Sequence, residues 1–203
     1  MFKVAITMNY RLMKNTILIF LLILLDACTT IETTPKNTAN ICAIFAEKTQ
    51  WLSYSQTAFE QWDLPIYIQM AIMRQESSFV ADARPPRGSF LGIIPTASPT
   101  SAYGYAQALD GTWSEYLKSN KLSDAVRDDF ADACDFVGWY CHLSYQGLGI
   151  SKQDTYNLYL AYHEGNTAYK RKSYLNKPWL LEVAKKVSSN AQQYRQQLDN
   201  CRN

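Results

Sequence analysis

Apolar residues recur every three or four positions along most of the chain, and sustained two-residue alternation is absent. Ile41, Ile44, Phe45, Leu52 and Phe59 keep helical intervals behind Asn40, a suitable N-cap. Asp63 is expected to cap a second helix with Pro65 in its first turn, where a missing N–H costs little. That helix runs through Ile66, Ile68, Ile72 and Met73 to about Ser77, and Pro85-Pro86 forbids continuation. Asp110 opens a short helix through Trp113 and Leu117. A long one from Ser123 carries Val126, Phe130, Cys134, Val137, Cys141 and Tyr145 and ends at Gly147 and Gly149. Asp154 opens another through Tyr159 and Tyr162 to Gly165. Pro178 opens the last, with Leu180, Val183, Val187, Ala191, Tyr194 and Leu198 on one face. The predicted class is all-α, with at most a small β-hairpin in the Pro/Gly/Ser-rich loop 81–99.

The amino terminus follows a different pattern. Lys3, Arg11 and Lys14 precede the apolar run from Ile17 to Leu25, about half of the roughly 20 residues that span a bilayer. A basic flank before a short apolar stretch reads as a secretory signal over residues 1–27. Leu25-Asp26-Ala27-Cys28 resembles the lipobox of bacterial lipoproteins, which implies lipid attachment at Cys28. Thr29 in place of an acidic residue implies, by the same resemblance, a periplasm-facing lipoprotein of the outer membrane. Residues 28–40 are polar and Thr-rich and read as a flexible tether, leaving 41–203 as the one folded domain.

Charge narrows the partners. Lys and Arg number 20 against 18 Asp and Glu. Removing 1–27 takes Lys3, Arg11, Lys14 and Asp26, which leaves 17 of each sign and no electrostatic reason to expect nucleic acid. Aromatics reach 13%, which suits a sugar-lined cleft as well as ordinary core packing. Four cysteines follow Cys28. Cys134 and Cys141 lie about 10.5 Å apart along one helix, beyond the roughly 7 Å that a disulfide spans. Cys42 with Cys201 is the preferred bridge among three complete pairings. With no CxxC and only His142 and His163, no metal or cofactor is expected.

Glu76 carries the candidate chemistry. It continues the Ile68–Ile72 face into the last turn of its helix, where desolvation and the negative end of the dipole both raise a carboxyl pKa. A carboxyl protonated near neutrality suits a general acid, while a solvent-facing helix-end glutamate is the ordinary alternative. The stretch Ala71 to Phe79 resembles the Glu-Ser motif of lytic transglycosylases, which share the goose-type lysozyme fold. Ser98 to Gln107 is similar to that family's second motif, with Ala102, Gly104 and Gln107 kept and Tyr105-Ala106 in place of Leu-Met. Ala161-Tyr162-His163-Glu164-Gly165 resembles the third, with His163 and Glu164 where the family has asparagine and alanine. The gap between Glu76 and Ser98 is longer than the family's usual one.

The resemblance implies a lysozyme-like helical domain acting on peptidoglycan glycan strands. Glu76 would be the single acid/base and Tyr162 would hydrogen-bond and orient it. Ser98 and Gln107 would contact N-acetyl sugars, and Tyr105 would stack on a sugar face. Cleavage of the MurNAc-GlcNAc β-1,4 bond with a 1,6-anhydroMurNAc product is the expected reaction. A hydrolytic muramidase of the same fold and a non-catalytic peptidoglycan-binding lipoprotein are the alternatives. The sequence identifies no envelope protein partner.

Overall fold

The computed structural model describes residues 33–86 and 100–201, together with the backbone of 89–90 and 94–95. The expected signal segment, Cys28 and Ser98 lie outside the described residues. Eight α-helices occur among those described: α1 (Ile41–Glu47), α2 (Trp51–Trp62), α3 (Ile66–Ser77), α4 (Asp110–Asn120), α5 (Phe130–Leu148), α6 (Thr155–Glu164), α7 (Asn166–Lys170) and α8 (Pro178–Cys201). A 3-10 turn spans Ser173–Asn176. Within the 81–99 loop, β1 (Ser89–Phe90) pairs antiparallel with β2 (Ile94–Pro95), Phe90 facing Ile94. No helix among the described residues is long and apolar enough to cross a membrane.

The predicted caps hold where a polar side chain meets a free N–H. Asn40 Oδ1 accepts the Ala43 N–H at 3.0 Å, Asp154 Oδ1 accepts that of Asn157 at 3.1 Å, and Gly149 closes α5 in the left-handed region. Three boundaries differ from expectation. The first periodic stretch breaks at Lys48–Gln50, and the redirected chain buries Trp51, whose ring stacks on Phe130 at 3.6 Å. Asp63 ends α2 with φ 55° rather than starting α3, whose own cap position is Pro65. The long helix begins at Phe130, not Ser123, because Asp129 caps it and the Arg127 carbonyl is bonded to the Tyr105 N–H.

Two pairings organise the core. Helix α2 packs on α5, and α3 packs on α8, which also covers α6. Helix α3 is buried on nearly every side: Ile66, Ile68, Gln69, Met70, Ala71, Ile72 and Met73 are inside. Gln69 survives there because its amide N–H groups reach the Ser55 and Leu64 carbonyls at 3.2 and 2.8 Å.

Residues 33–40, expected as part of a flexible tether, are held in place. Pro35 is buried, the Tyr194 hydroxyl donates to the Thr38 carbonyl, and Gln197 Nε2 donates to that of Ala39 at 3.2 Å. A Cys42–Cys201 disulfide joins α1 to the end of α8, with Cα atoms 6.1 Å apart. Cys134 and Cys141 are buried thiols of α5, whose pKa values burial pushes far up.

Candidate active site

Helix α3 ends one residue past Glu76 because Ser77 staples it. The Ser77 hydroxyl donates to the Met73 carbonyl at 3.2 Å and accepts the Phe79 N–H at 3.1 Å. Ser78 and Phe79 then turn left-handed, at φ 53° and 64°. Glu76 therefore stands at the carbonyl end of a buried helix. The residue keeps some surface open to a cavity, yet its Oε1 is buried and has no hydrogen-bond partner. Burial raises its pKa to about 7, and a hydrogen bond from the Tyr159 phenol opposes part of that rise.

The cavity holds about 350 Å³ and brings Glu76, Gln107 and Tyr162 together. Its floor is the loop before α4. Gly104 has φ +82°, and an added Cβ would fall 2.0 Å from the Arg127 carbonyl oxygen, so only glycine fits. Arg127 clamps the same loop from outside: its Nη1 donates to the Ala108 carbonyl at 2.9 Å and pairs with Asp110 at 2.8 Å. Gln107, at φ 49°, spends both amide hydrogens on the Ala83 and Gly104 carbonyls, each at 2.9 Å. That leaves its amide oxygen as the group with capacity for a ligand N–H or O–H.

Two expected roles are corrected. Tyr162 does not bond Glu76; its hydroxyl donates to the Ala106 carbonyl at 2.7 Å. The phenol that acts on the Glu76 pKa is that of Tyr159, one turn earlier on the same face of α6. Tyr162 remains in the cavity wall with Phe136 and Tyr140, whose ring lies 5.2 Å from its own. Tyr105 is not a sugar platform. It is fully buried, edge-on to Trp51 at 5.6 Å and to Phe130 at 5.3 Å, so it fills the core beneath the loop.

His163 and Glu164, to which the sequence assigned no role, both line the cavity. The Glu164 side chain is 3% exposed and binds Lys177 Nζ through Oε1 at 2.6 Å. Ser173 Oγ donates to its Oε2 at 2.5 Å, and His163 Nδ1 lies 3.6 Å from Oε1. Desolvation pushes the Glu164 pKa up, but the bonds from Lys177 and Ser173 outweigh it and hold the pKa below the usual carboxylate value. Desolvation likewise lowers the His163 pKa, so its imidazole is neutral at pH 7. Two carboxyls in one cavity are thus pushed in opposite directions, one toward acid and one toward anion. Only the Tyr159 signal was within reach of the sequence, as a second tyrosine one turn from Tyr162. Among the described residues no group of three or more His, Cys, Asp or Glu side chains is placed to hold a metal ion.

Compared with models of known protein families, residues 16–201 match the Transglycosylase SLT domain. No curated protein matches the chain.

Proposed function

Because the chain belongs to the transglycosylase SLT domain family, within the lysozyme-like superfamily, we propose that Glu76 is the sole acid and base of a peptidoglycan lytic transglycosylase. The observation that carries this reading is the state of the two carboxyls in the cavity. Glu76 is poised near neutrality with a bare Oε1, whereas both oxygens of Glu164 are occupied by Lys177 and Ser173. A glycosidase with two working carboxyls needs its second one free to activate water or attack the sugar. Here the second is a fixed structural anion.

The substrate then supplies the nucleophile. Protonated Glu76 donates to the bridging oxygen of the MurNAc-GlcNAc β-1,4 bond, the C1–O bond breaks, and GlcNAc leaves with a free 4-hydroxyl. The N-acetyl group of MurNAc stabilises the developing charge at C1. Ionised Glu76 removes the proton from the MurNAc C6 hydroxyl as that oxygen bonds to C1. The product is 1,6-anhydroMurNAc, water is not consumed, and Glu76 ends protonated as it began.

Neutral Tyr159 steadies the anion between the two proton transfers, and the Gln107 amide oxygen is placed to accept an N-acetyl N–H. Wild-type protein and Glu76→Gln, each incubated with purified sacculi, test this. Wild type should release anhydro-ended muropeptides, lighter by one water than hydrolytic products, and the variant should release none. Hydrolytic ends would make the enzyme a muramidase, and equal rates for the two proteins would remove Glu76 from the mechanism. We further place the protein in the cell envelope, anchored to the outer membrane by acyl chains on Cys28. Loss of labelled-lipid incorporation in Cys28→Ser is the expected result.

A further inference from the structure

Trp179 stands in the first turn of α8 with 55% of its surface exposed. A large ring left in water forgoes the free energy that burial would supply, which makes its position informative. Its ring centroid lies 5.3 Å from that of His163, with the planes nearly perpendicular at 78°. His163 lines the catalytic cavity, so the indole adjoins that cavity through a single intervening ring.

The support beneath this pair is fixed. Glu164 is locked to Lys177 at 2.6 Å, and Lys177 is the residue before α8 begins, so one ion pair holds both the cavity wall and the start of the helix bearing Trp179. The imidazole turns Nδ1 toward Glu164 at 3.6 Å, which leaves Nε2 as its remaining polar atom. An exposed indole beside one polar ring nitrogen, one ring removed from the cavity, matches a pyranose: C–H groups on its face and hydroxyls on its rim.

We infer that Trp179, backed by His163, forms an additional saccharide subsite that stacks on a ring of the glycan strand beyond the two sugars joined at the cleaved bond. This rests on the reading that the cavity takes glycan. The subsite lengthens the strand the enzyme grips and favours long chains over short fragments.

The test uses the full chain carrying Glu76→Gln, so that ligand is bound without turnover, titrated with chitohexaose and with chitotriose. Adding Trp179→Ala should weaken chitohexaose binding roughly tenfold and leave chitotriose unchanged, while Trp179→Phe should recover most of the loss. Equal weakening of both ligands, or of neither, overturns the subsite. So does an effect seen only when a peptide-bearing glycan hexasaccharide is titrated in place of chitohexaose, which would assign the indole to the stem peptide. If wild type fails to yield anhydro products from sacculi while the chain-length effect persists, the reaction assignment falls and the subsite stands.

Discussion

Tyr162 Oη lies 2.7 Å from the Ala106 carbonyl oxygen and ties helix α6 to the loop that carries Gln107. This bond positions a wall of the cavity, whereas the phenol that lowers the Glu76 pKa belongs to Tyr159. The two tyrosines should therefore fail differently. Tyr159→Phe removes a bond that lowers the Glu76 pKa, so the alkaline limb of kcat against pH should move upward. Tyr162→Phe should raise KM and reduce kcat several-fold, on the scale of one lost hydrogen bond, with the limb in place. pH profiles of both variants on sacculi decide the assignment; a limb moved by Tyr162→Phe alone would reverse it.

Burial of Glu76 ties stability to pH. Its folded pKa of about 7 exceeds the ordinary glutamate value of 4.5, so the folded state binds more protons across that window. Stability should fall as pH rises from about 4.5 to 7 and stay lower above it. Glu76→Gln has no such penalty and should be more stable than wild type at pH 8, by on the order of 3 kcal/mol, and similar to it at pH 4. Urea midpoints at the two pH values measure this; an equal difference at both would mean that no ionisable burial is involved.

Breaking the Glu164–Lys177 pair should be asymmetric. Lys177 is 41% exposed and can be solvated once alone, whereas Glu164 at 3% cannot. Lys177→Ala should cost about 3 kcal/mol and Glu164→Ala nearer 1 kcal/mol, because only the first leaves a buried charge. Equal losses in chemical denaturation would show that the carboxylate is better hydrated than its burial indicates.

Gly104→Ala should damage the site through the backbone. The new Cβ meets the Arg127 carbonyl at 2.0 Å, so the loop must move and take Gln107 with it. A loss of at least about 2 kcal/mol in stability and a rise in KM are expected, measured by thermal unfolding and sacculus turnover. Wild-type values in both would mean the loop can shift freely.

Part of this architecture is local and therefore readable in one dimension. Asn40, Asp154 and Gly149 act on N–H or carbonyl groups within four residues, so their sequence neighbours suffice to predict them. The all-α class follows in the same way from apolar spacing. Tyr105 is the contrary case. Nothing near it in sequence distinguishes a cleft aromatic from a core one; its burial depends on Trp51 and Phe130, on two separate helices. The late start of α5 has a similar origin, since the Arg127 carbonyl bonds the Tyr105 N–H.

By itself the sequence determined the all-α class, the buried flank of Glu76, the family and the order of three motifs, because these depend on short-range periodicity and residue type. Tertiary structure alone decided which tyrosine lowers the Glu76 pKa, that Glu164 is neutralised by Lys177, and that Trp179 stands beside His163 of the cavity wall. Those outcomes depend on side-chain direction and on solvent exclusion between segments far apart in the chain, and neither quantity exists until the helices have packed.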